Sequence, residues 1–388
     1  MSDQQIYTLI IKTQAGLEQL LAEEVSACGG QHAEILNRAV KCKGDKDVMY
    51  RLNYTSRLAL RVLREIKTFE VETENDLYTR VKKFSWKYFL APDQTFAIYA
   101  TVSNSQMQHT HYVALKTKDA IADYFREETG NRPNVDIDNP DIRIQVHITG
   151  TKCTLLLDSS GDSLHKRGYR IRQGKAPINE VLAAGMIGLS GWDRKTALID
   201  PMCGSGTILC EAAMMARNMP AGFFRKNFGF MHWPDFDENI WQKIKYTESA
   251  KIKDQAVKIY GSDVNQNMLE VAGETISEAA FADGIELKQV AFENSKPPDG
   301  EGGVIITNPP YGERIRKSDI LAFYKMIGDT LKTRYAGYEA WIITSHFDAL
   351  KSVGLRTSKK IQLYNGPLEC RFVKYELYQG SRKTRKLD

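Results

Sequence analysis

The chain has 388 residues, enough for two or three domains with proper cores, and its 42% hydrophobic and 26% charged residues are ordinary for a soluble protein. No uninterrupted apolar run approaches the ~18 residues of a membrane span, and Met1-Ser2-Asp3-Gln4-Gln5 carries no secretory signal, so a cytoplasmic location is expected. The 53 Lys and Arg exceed the 48 Asp and Glu only slightly, a net +5 that does not by itself require a polyanionic partner.

The first sixty or so residues read as a small α+β unit. Residues 6–11 are strand-like, and 17–28 carry a helical period through Leu17, Leu20, Leu21 and Val25 that Gly29-Gly30 ends. Short strands are expected at 33–36 and 39–42, then a helix from about Asp45. A second unit follows from about Lys67: a strand over 95–102, a helix over 118–128 stopped by Gly130, and a strand in which Ile142, Ile144, Val146 and Ile148 alternate with polar residues. Residues 154–157 are its natural antiparallel partner. His109 and His111 would share a strand face, too little for a metal site, and none is assigned.

Lys166, Arg167, Arg170, Arg172 and Lys175 then fall together with no acid among them, and Arg382, Lys383, Arg385 and Lys386 crowd the last residues. A solvated linker and tail explain these as well as RNA contacts do. The six cysteines, Cys28, Cys42, Cys153, Cys203, Cys210 and Cys370, are scattered without a C-x-x-C and read as reduced core thiols.

From Ala176 strands alternate with helices, the rhythm of an α/β domain with a mostly parallel sheet. A helix from Pro177 through Leu189 precedes a strand over 196–199, which leads into Asp200-Pro201-Met202-Cys203-Gly204-Ser205-Gly206-Thr207 and a helix over 208–219. A strand, a glycine turn and a helix make a nucleotide-type site. The third glycine of the dinucleotide fingerprint is replaced by Leu209, and Asp200 would repel a pyrophosphate while suiting a sulfonium or an amino group. That favours S-adenosyl-L-methionine over NAD.

Asp263 closes the second strand, over 258–262, where a ribose diol is usually gripped. Between these elements lies a long insert, 221–255, that interleaves Phe223, Phe224, Phe228, Phe230 and Trp233 with Arg225, Lys226 and His232. It suits stacking on bases and a flap over the cofactor about equally. A helix over 265–282 and strands over 287–292, 304–307, 340–344 and 373–378 complete the domain.

The strand over 304–307, the fourth of the domain, runs into Thr307-Asn308-Pro309-Pro310-Tyr311-Gly312-Glu313-Arg314. The two prolines fix the backbone outside any ladder, so the carbonyls beside Asn308 and Tyr311 are held rigidly. Such a surface serves alkylation of a planar NH2, whose lone pair is delocalised until two acceptors hold its hydrogens. Here these would be the Asn308 side-chain oxygen and the Pro309 carbonyl, with Tyr311 stacking on the flat substrate.

The run Gly130-Asn131-Arg132-Pro133-Asn134-Val135-Asp136, with Leu157-Asp158-Ser159-Ser160-Gly161-Asp162-Ser163-Leu164-His165-Lys166-Arg167-Gly168-Tyr169-Arg170, resembles the end of a THUMP domain and its exit linker. Together with the Asp200 loop, Gly261-Ser262-Asp263, the Asn-Pro-Pro-Tyr stretch and Tyr364-Asn365-Gly366-Pro367-Leu368-Glu369-Cys370, it resembles the THUMP-containing class I methyltransferases of the RlmL/YpsC type. The resemblance covers nearly the whole chain. It implies an N-terminal ferredoxin-like unit at 1–66, an RNA-binding THUMP domain at 67–158, a basic linker at 159–175 and a Rossmann-like methyltransferase domain with a mostly parallel seven-stranded sheet at 176–388.

The activity so implied is methyl transfer from S-adenosyl-L-methionine to guanine N2 in RNA, most readily 23S rRNA. Cofactor contacts would come from Asp200, Pro201, Cys203, Gly204, Gly206, Thr207, Asp263, Val264, Glu293 and Asn308. Asn308, Pro309, Pro310 and Tyr311 would hold the amine. RNA would meet Lys166, Arg167, Arg170, Arg172, Arg225, Lys226 and Arg314. One position departs from the family pattern: Ala291-Phe292 stand where the third strand usually ends in an acid near the adenine, with Glu293 as the substitute. The same acceptor geometry would serve a tRNA guanine, N6 of adenine in DNA or a glutamine amide in a protein, and a non-catalytic RNA-binding assembly factor is the remaining alternative.

Overall fold

Two sheets organise the chain in the computed structural model, which describes residues 5–107, 109–170, 178–300, 302–310 and 319–378. In chain order the first part runs β1 (Tyr7–Lys12), α1 (Glu18–Ala27), β2 (Gln31–Leu36), β3 (Ala39–Gly44), α2 (Lys46–Thr55), β4 (Arg61–Glu70), α3 (Glu74–Lys82), β5 (Thr95–Ser103), α4 (Thr110–Thr129), β6 (Asn134–Val135), β7 (Ile142–Thr149) and β8 (Lys152–Asp158). The second part runs α5 (Glu180–Ser190), β9 (Ala197–Asp200), α6 (Thr207–Ala216), α7 (Glu238–Ser249), β10 (Ile259–Asp263), α8 (Gln266–Glu278), β11 (Ile285–Gln289), β12 (Gly303–Thr307), α9 (Ile320–Arg334), β13 (Tyr338–Thr344), α10 (Ala349–Ser352), β14 (Thr357–Asn365) and β15 (Leu368–Glu376).

The first eight strands form one sheet, β2-β3-β1-β4-β8-β7-β5-β6. The expected boundary at 66/67 falls inside β4, which pairs β1 along its first residues and β8 along most of its length, with a register shift between Glu65 and Lys67. The alternating apolar residues of β7 are buried as expected, and β8 pairs with it antiparallel. His109 and His111 lie at the start of α4 rather than on a strand.

The chain divides into two compact units, the first made of Met1–Thr13, Leu21–Lys166 and Gly222–Glu248. The aromatic insert therefore belongs to the sheet of the first unit, which corrects both of its sequence readings. Phe228 and Phe230 are buried, Phe230 stacks on Tyr50 with centroids 4.1 Å apart, and Trp241 meets Tyr54 edge to face. Trp233 lies under the guanidinium of Arg64, which also donates to Asp235 at 2.7 Å. Each such aromatic pair adds ~0.5–1.5 kcal/mol beyond area burial, so these rings are spent on a core and not offered to RNA bases.

The second unit, Gln14–Leu20, Arg167–Ala221 and Ser249–Asp388, holds the sheet β11-β10-β9-β12-β13-β15-β14. Its first five strands pair in parallel, and β15 runs antiparallel between β13 and β14. The central strands are apolar throughout because helices cover both faces: all of β9 is buried, and Tyr324, Ile327 and Leu331 of α9 pack on Ile305, Ile342 and Val373. Helix α5 is buried nearly all round, and Gly185 on it leaves room for Leu17, whose methyls would lie 2.6 Å from an added Cβ. Strand order reverses beside β9, the position at which open α/β sheets bind ligands beyond the strands' carboxyl ends.

Candidate active site

The loop after β9 is shaped by two glycines in the left-handed region, Gly204 at φ +53° and Gly206 at φ +77°. A side chain there would be strained, and the two positions differ in purpose. An added Cβ on Gly204 would meet nothing, whereas on Gly206 it would come within 3.1 Å of the Ala272 methyl on α8. Gly204 thus opens toward a ligand and Gly206 lets α6 pack closely. Gly261 is needed for the same packing, since its Cβ would lie 2.4 Å from Leu209.

Asp263 holds this loop from the end of β10. Its Oδ2 accepts the Gly204 N–H at 2.9 Å and its Oδ1 the Asn265 N–H at 2.9 Å. The remaining lone pairs suit a diol. Asp200 is buried at 2% exposure, and its Oδ1 accepts the Met202 N–H at 3.2 Å. Burial pushes its carboxyl up to about 7, offset in part by the Thr307 hydroxyl and the Met202 N–H, while Asp263 adds a small upward push. A buried acid that titrates near neutrality in a cleft is a functional-site signature.

A cavity of about 730 Å³ joins these groups, within the ~300–1,000 Å³ usual for small-molecule sites. Asp200, Pro201, Cys203, Gly204, Thr207, Asp263, Val264, Glu293, Asn308 and Pro310 all line it, together with Ile178, Met268, Phe292, Phe323 and Met326, which sequence reasoning missed. Gly206 and Pro309 do not; Pro309 is buried beneath. Phe292 and the exposed Glu293 stand at the third strand's end, so an aromatic ring and an acid share the position where an acid alone was expected. Burial drives the Cys203 thiol well up, and a thiol so held is no nucleophile.

Asn308 carries the feature of most consequence. Its Oδ1 is buried and accepts no hydrogen bond among the described residues. An unmet buried acceptor costs ~1–3 kcal/mol, and this one belongs to a residue of the cavity wall at the carboxyl end of β12. Tyr311 lies outside the described residues.

The linker cations are placed otherwise than expected. Arg167 has a side chain only 1% exposed and pairs with the fully buried Glu211, which also accepts the Tyr169 hydroxyl at 3.1 Å. Arg170 donates to Glu180 at the start of α5, to the Ile178 carbonyl at 3.2 Å and to the Thr207 hydroxyl at 2.7 Å. Thr207 and Ile178 both line the cavity, so Arg170 braces the ligand loop instead of meeting RNA. Arg225 donates to the carbonyls of Ser160, Asp162, Ser163 and Lys166. Three expected RNA contacts, Arg167, Arg170 and Arg225, are thus corrected to internal ties. Lys226 is exposed, and Lys166 is exposed beside Asp162 at 3.2 Å. Arg172 and Arg314 lie outside the described residues.

Among the described residues no group of His, Cys, Asp and Glu is arranged to hold a metal ion, and no helix is long and apolar enough to cross a membrane. Five of the cysteines are buried and Cys28 is half-buried, with no disulfide among the described residues.

Comparison with known proteins accords with this geometry. Residues 167–374 match the family described as RMKL-like, methyltransferase domain; residues 71–158 match the THUMP domain, and residues 8–63 the RlmL ferredoxin-like domain. A Synechocystis sp. protein named as an RNA methyltransferase is 39% identical over 365 residues, 94% of this chain and 95% of that protein. The solved structure of SMU.472, a protein named as a methyltransferase, with S-adenosylhomocysteine superposes with a TM-score of 0.87 at 28% identity, covering 97% of this chain and 99% of that one. A Listeria monocytogenes protein named as an N6-adenine-specific DNA methylase gives 0.86 at 28% identity, covering 96% and 97%.

Proposed function

The chain belongs to the RMKL-like, THUMP-containing family of S-adenosylmethionine-dependent RNA methyltransferases, and from that premise we propose that its acceptor is the exocyclic N2 amine of a guanine in 23S rRNA. The observation that carries the reading is the unmet Asn308 Oδ1 in the cavity wall. Only a donor completes it, and a planar NH2 brings an N–H group that Asn308 would accept.

S-adenosyl-L-methionine, when bound, supplies an electrophilic methyl on a cationic sulfur. The residues fit it: Asp200 and the Gly204 loop at the cationic end, Asp263 at a ribose diol, and Val264, Met268, Phe292 and Glu293 around a flat ring. Asn308 accepts one amine hydrogen, which localises the nitrogen lone pair and turns it toward the electrophile; Tyr311 stacks on the extruded base. The amine becomes acidic as it is alkylated, so no strong base is required beforehand. Neither Cys203 nor Cys370 takes part as a nucleophile.

N6 of adenine in DNA is the second reading, on the name carried by the Listeria relative. The THUMP domain weighs for RNA. Incubation with methyl-labelled cofactor and unmodified rRNA, tRNA, DNA or release factor, followed by nucleoside and peptide mass spectrometry, tests the choice. N2-methylguanine in large-subunit rRNA is expected. Label confined to DNA, protein or tRNA, or to another position of the base, overturns the proposal.

A further inference from the structure

We propose that Arg371, laid flat on the ring of Phe347, grips a phosphate of the RNA beside the target nucleotide. This rests on the reading of Asn308 as the amine's partner. The guanidinium carbon of Arg371 lies 4.2 Å from the Phe347 centroid, a close cation–π contact that holds the fork in one orientation and lowers the entropy lost when it binds.

Position is the first argument. Strand β13 runs parallel to β12 with Ile342 opposite Thr307, so Thr344 and the residues to Phe347 extend past the same sheet end as Asn308 and Pro310. Strand β15 returns antiparallel and sets Arg371 opposite Thr344. Val373 and Tyr375, which share the strand face of Arg371, pack toward α9, and α9 sends Phe323 into the cavity wall. Arg371 and Phe347 thus stand at the acceptor end of the site, on the α9 side.

Charge is the second. Arg64, Arg167 and Arg170 are each paired with a carboxylate, and Arg225 is engaged by backbone carbonyls. Arg371 is exposed, and among the described residues it makes no hydrogen bond and no ion pair within 4 Å; Asp348, the acid nearest in sequence to Phe347, is paired with Lys351 at 2.9 Å, and the Arg371 charge also helps to hold its carboxyl below the usual carboxylate range. The adjoining hairpin tip, where Asn365 pairs with Leu368 across Gly366 at φ +61° and Pro367, presents Leu368 at 48% exposure. A fixed, always-charged fork beside a site for a flipped base fits a phosphate bidentately.

The test compares initial rates of wild type, Arg371→Gln, Arg371→Lys and Phe347→Leu on total RNA from cells lacking the protein, across a salt series. Arg371→Gln is expected to lower kcat/KM for RNA about tenfold and to flatten the log–log salt dependence by ~0.7, the share of one single-strand phosphate. Its KM for the cofactor and its Tm should stay at wild-type values. Arg371→Lys should keep the salt slope and lose a few fold in rate, and Phe347→Leu should behave likewise. An Arg371→Gln slope equal to wild type overturns the proposal, whether or not the rate falls. The assay counts methyl groups in whichever nucleoside takes them, so a wrong acceptor base changes the product peak and leaves the slope comparison intact.

Discussion

Replacing Asp200 by Asn removes the charge that we assign to the cationic end of the cofactor while keeping the shape of the loop. The wild-type carboxyl is raised by burial to about 7. Only its ionised form attracts a cation, so the apparent dissociation constant scales as 1 + 10^(pKa − pH). Between pH 8 and pH 6 wild-type affinity should therefore fall about tenfold, or ~1.4 kcal/mol, relative to the Asp200→Asn variant. The comparison is a ratio because the cofactor's own amino group titrates identically with both proteins. Isothermal titration at pH 7 in buffers of different ionisation enthalpy should also show about half a proton released on binding to wild type beyond that seen for Asp200→Asn. At pH 8 the variant should bind ten or more times more weakly, the scale of a lost charge-assisted contact. A wild-type to variant affinity ratio that is constant from pH 6 to pH 8, with equal proton release, would refute the assignment.

Other perturbations read other parts of the site. Asn308→Ala should lower kcat by about 10²-fold or more, as loss of an oriented polar contact does, with cofactor and RNA affinities within a few fold by titration and filter binding; unchanged turnover removes the proposed role. Arg170→Ala should weaken cofactor binding about tenfold, because Thr207 and Ile178 lose their brace, and Arg170→Lys should recover part of it; an effect on RNA binding alone would contradict the structure. Arg225→Ala frees four carbonyls and should cost about 2 kcal/mol of stability in denaturant titrations, with the salt dependence of RNA binding unchanged.

The cofactor loop was legible because each residue in it answers a local demand. Gly204 and Gly206 have positive φ, Asp263 caps a backbone N–H, and Asp200 ends a buried strand; backbone geometry and charge leave few substitutes. The basic and aromatic residues were not legible, since the same side chains serve two ends. Phe228 and Phe230 lie between Arg225-Lys226 and His232 as a base-stacking platform would, and only the partners Tyr50, Tyr54 and Trp241 reveal a core. Arg167 and Arg170 sit in a run without acids, but Glu211 and Glu180 reach them from helices that begin 10 or more residues away. Strand β14 escaped notice because its first half, Thr-Ser-Lys-Lys, carries no apolar alternation on an edge strand. The boundary expected at 66/67 lies within the single strand β4, beside its register shift and between the matched ferredoxin-like segment 8–63 and THUMP segment 71–158.

Asp200 and Asn308 each carry a cost in the protein by itself, and the two costs have one explanation. Native Asp200 titrates at about 7 against ~3.9 for an unfolded Asp, so the folded state binds more protons across that interval. Stability from this group is fully present below about pH 4 and is lost as pH rises to 7, by about 4 kcal/mol. Asn308 adds an unmet acceptor. A bound cation would restore the Asp200 carboxylate and a bound amine would complete Asn308, so the protein gains from ligands what its own packing withholds. The gain in Tm from cofactor at pH 8 over that at pH 6 should then be larger for wild type than for Asp200→Asn, and the substitution should raise the Tm of the protein without cofactor at pH 8. A lower Tm for Asp200→Asn without cofactor at pH 8 would mean that the carboxylate stabilises the fold outright, and the strain would have to be sought elsewhere.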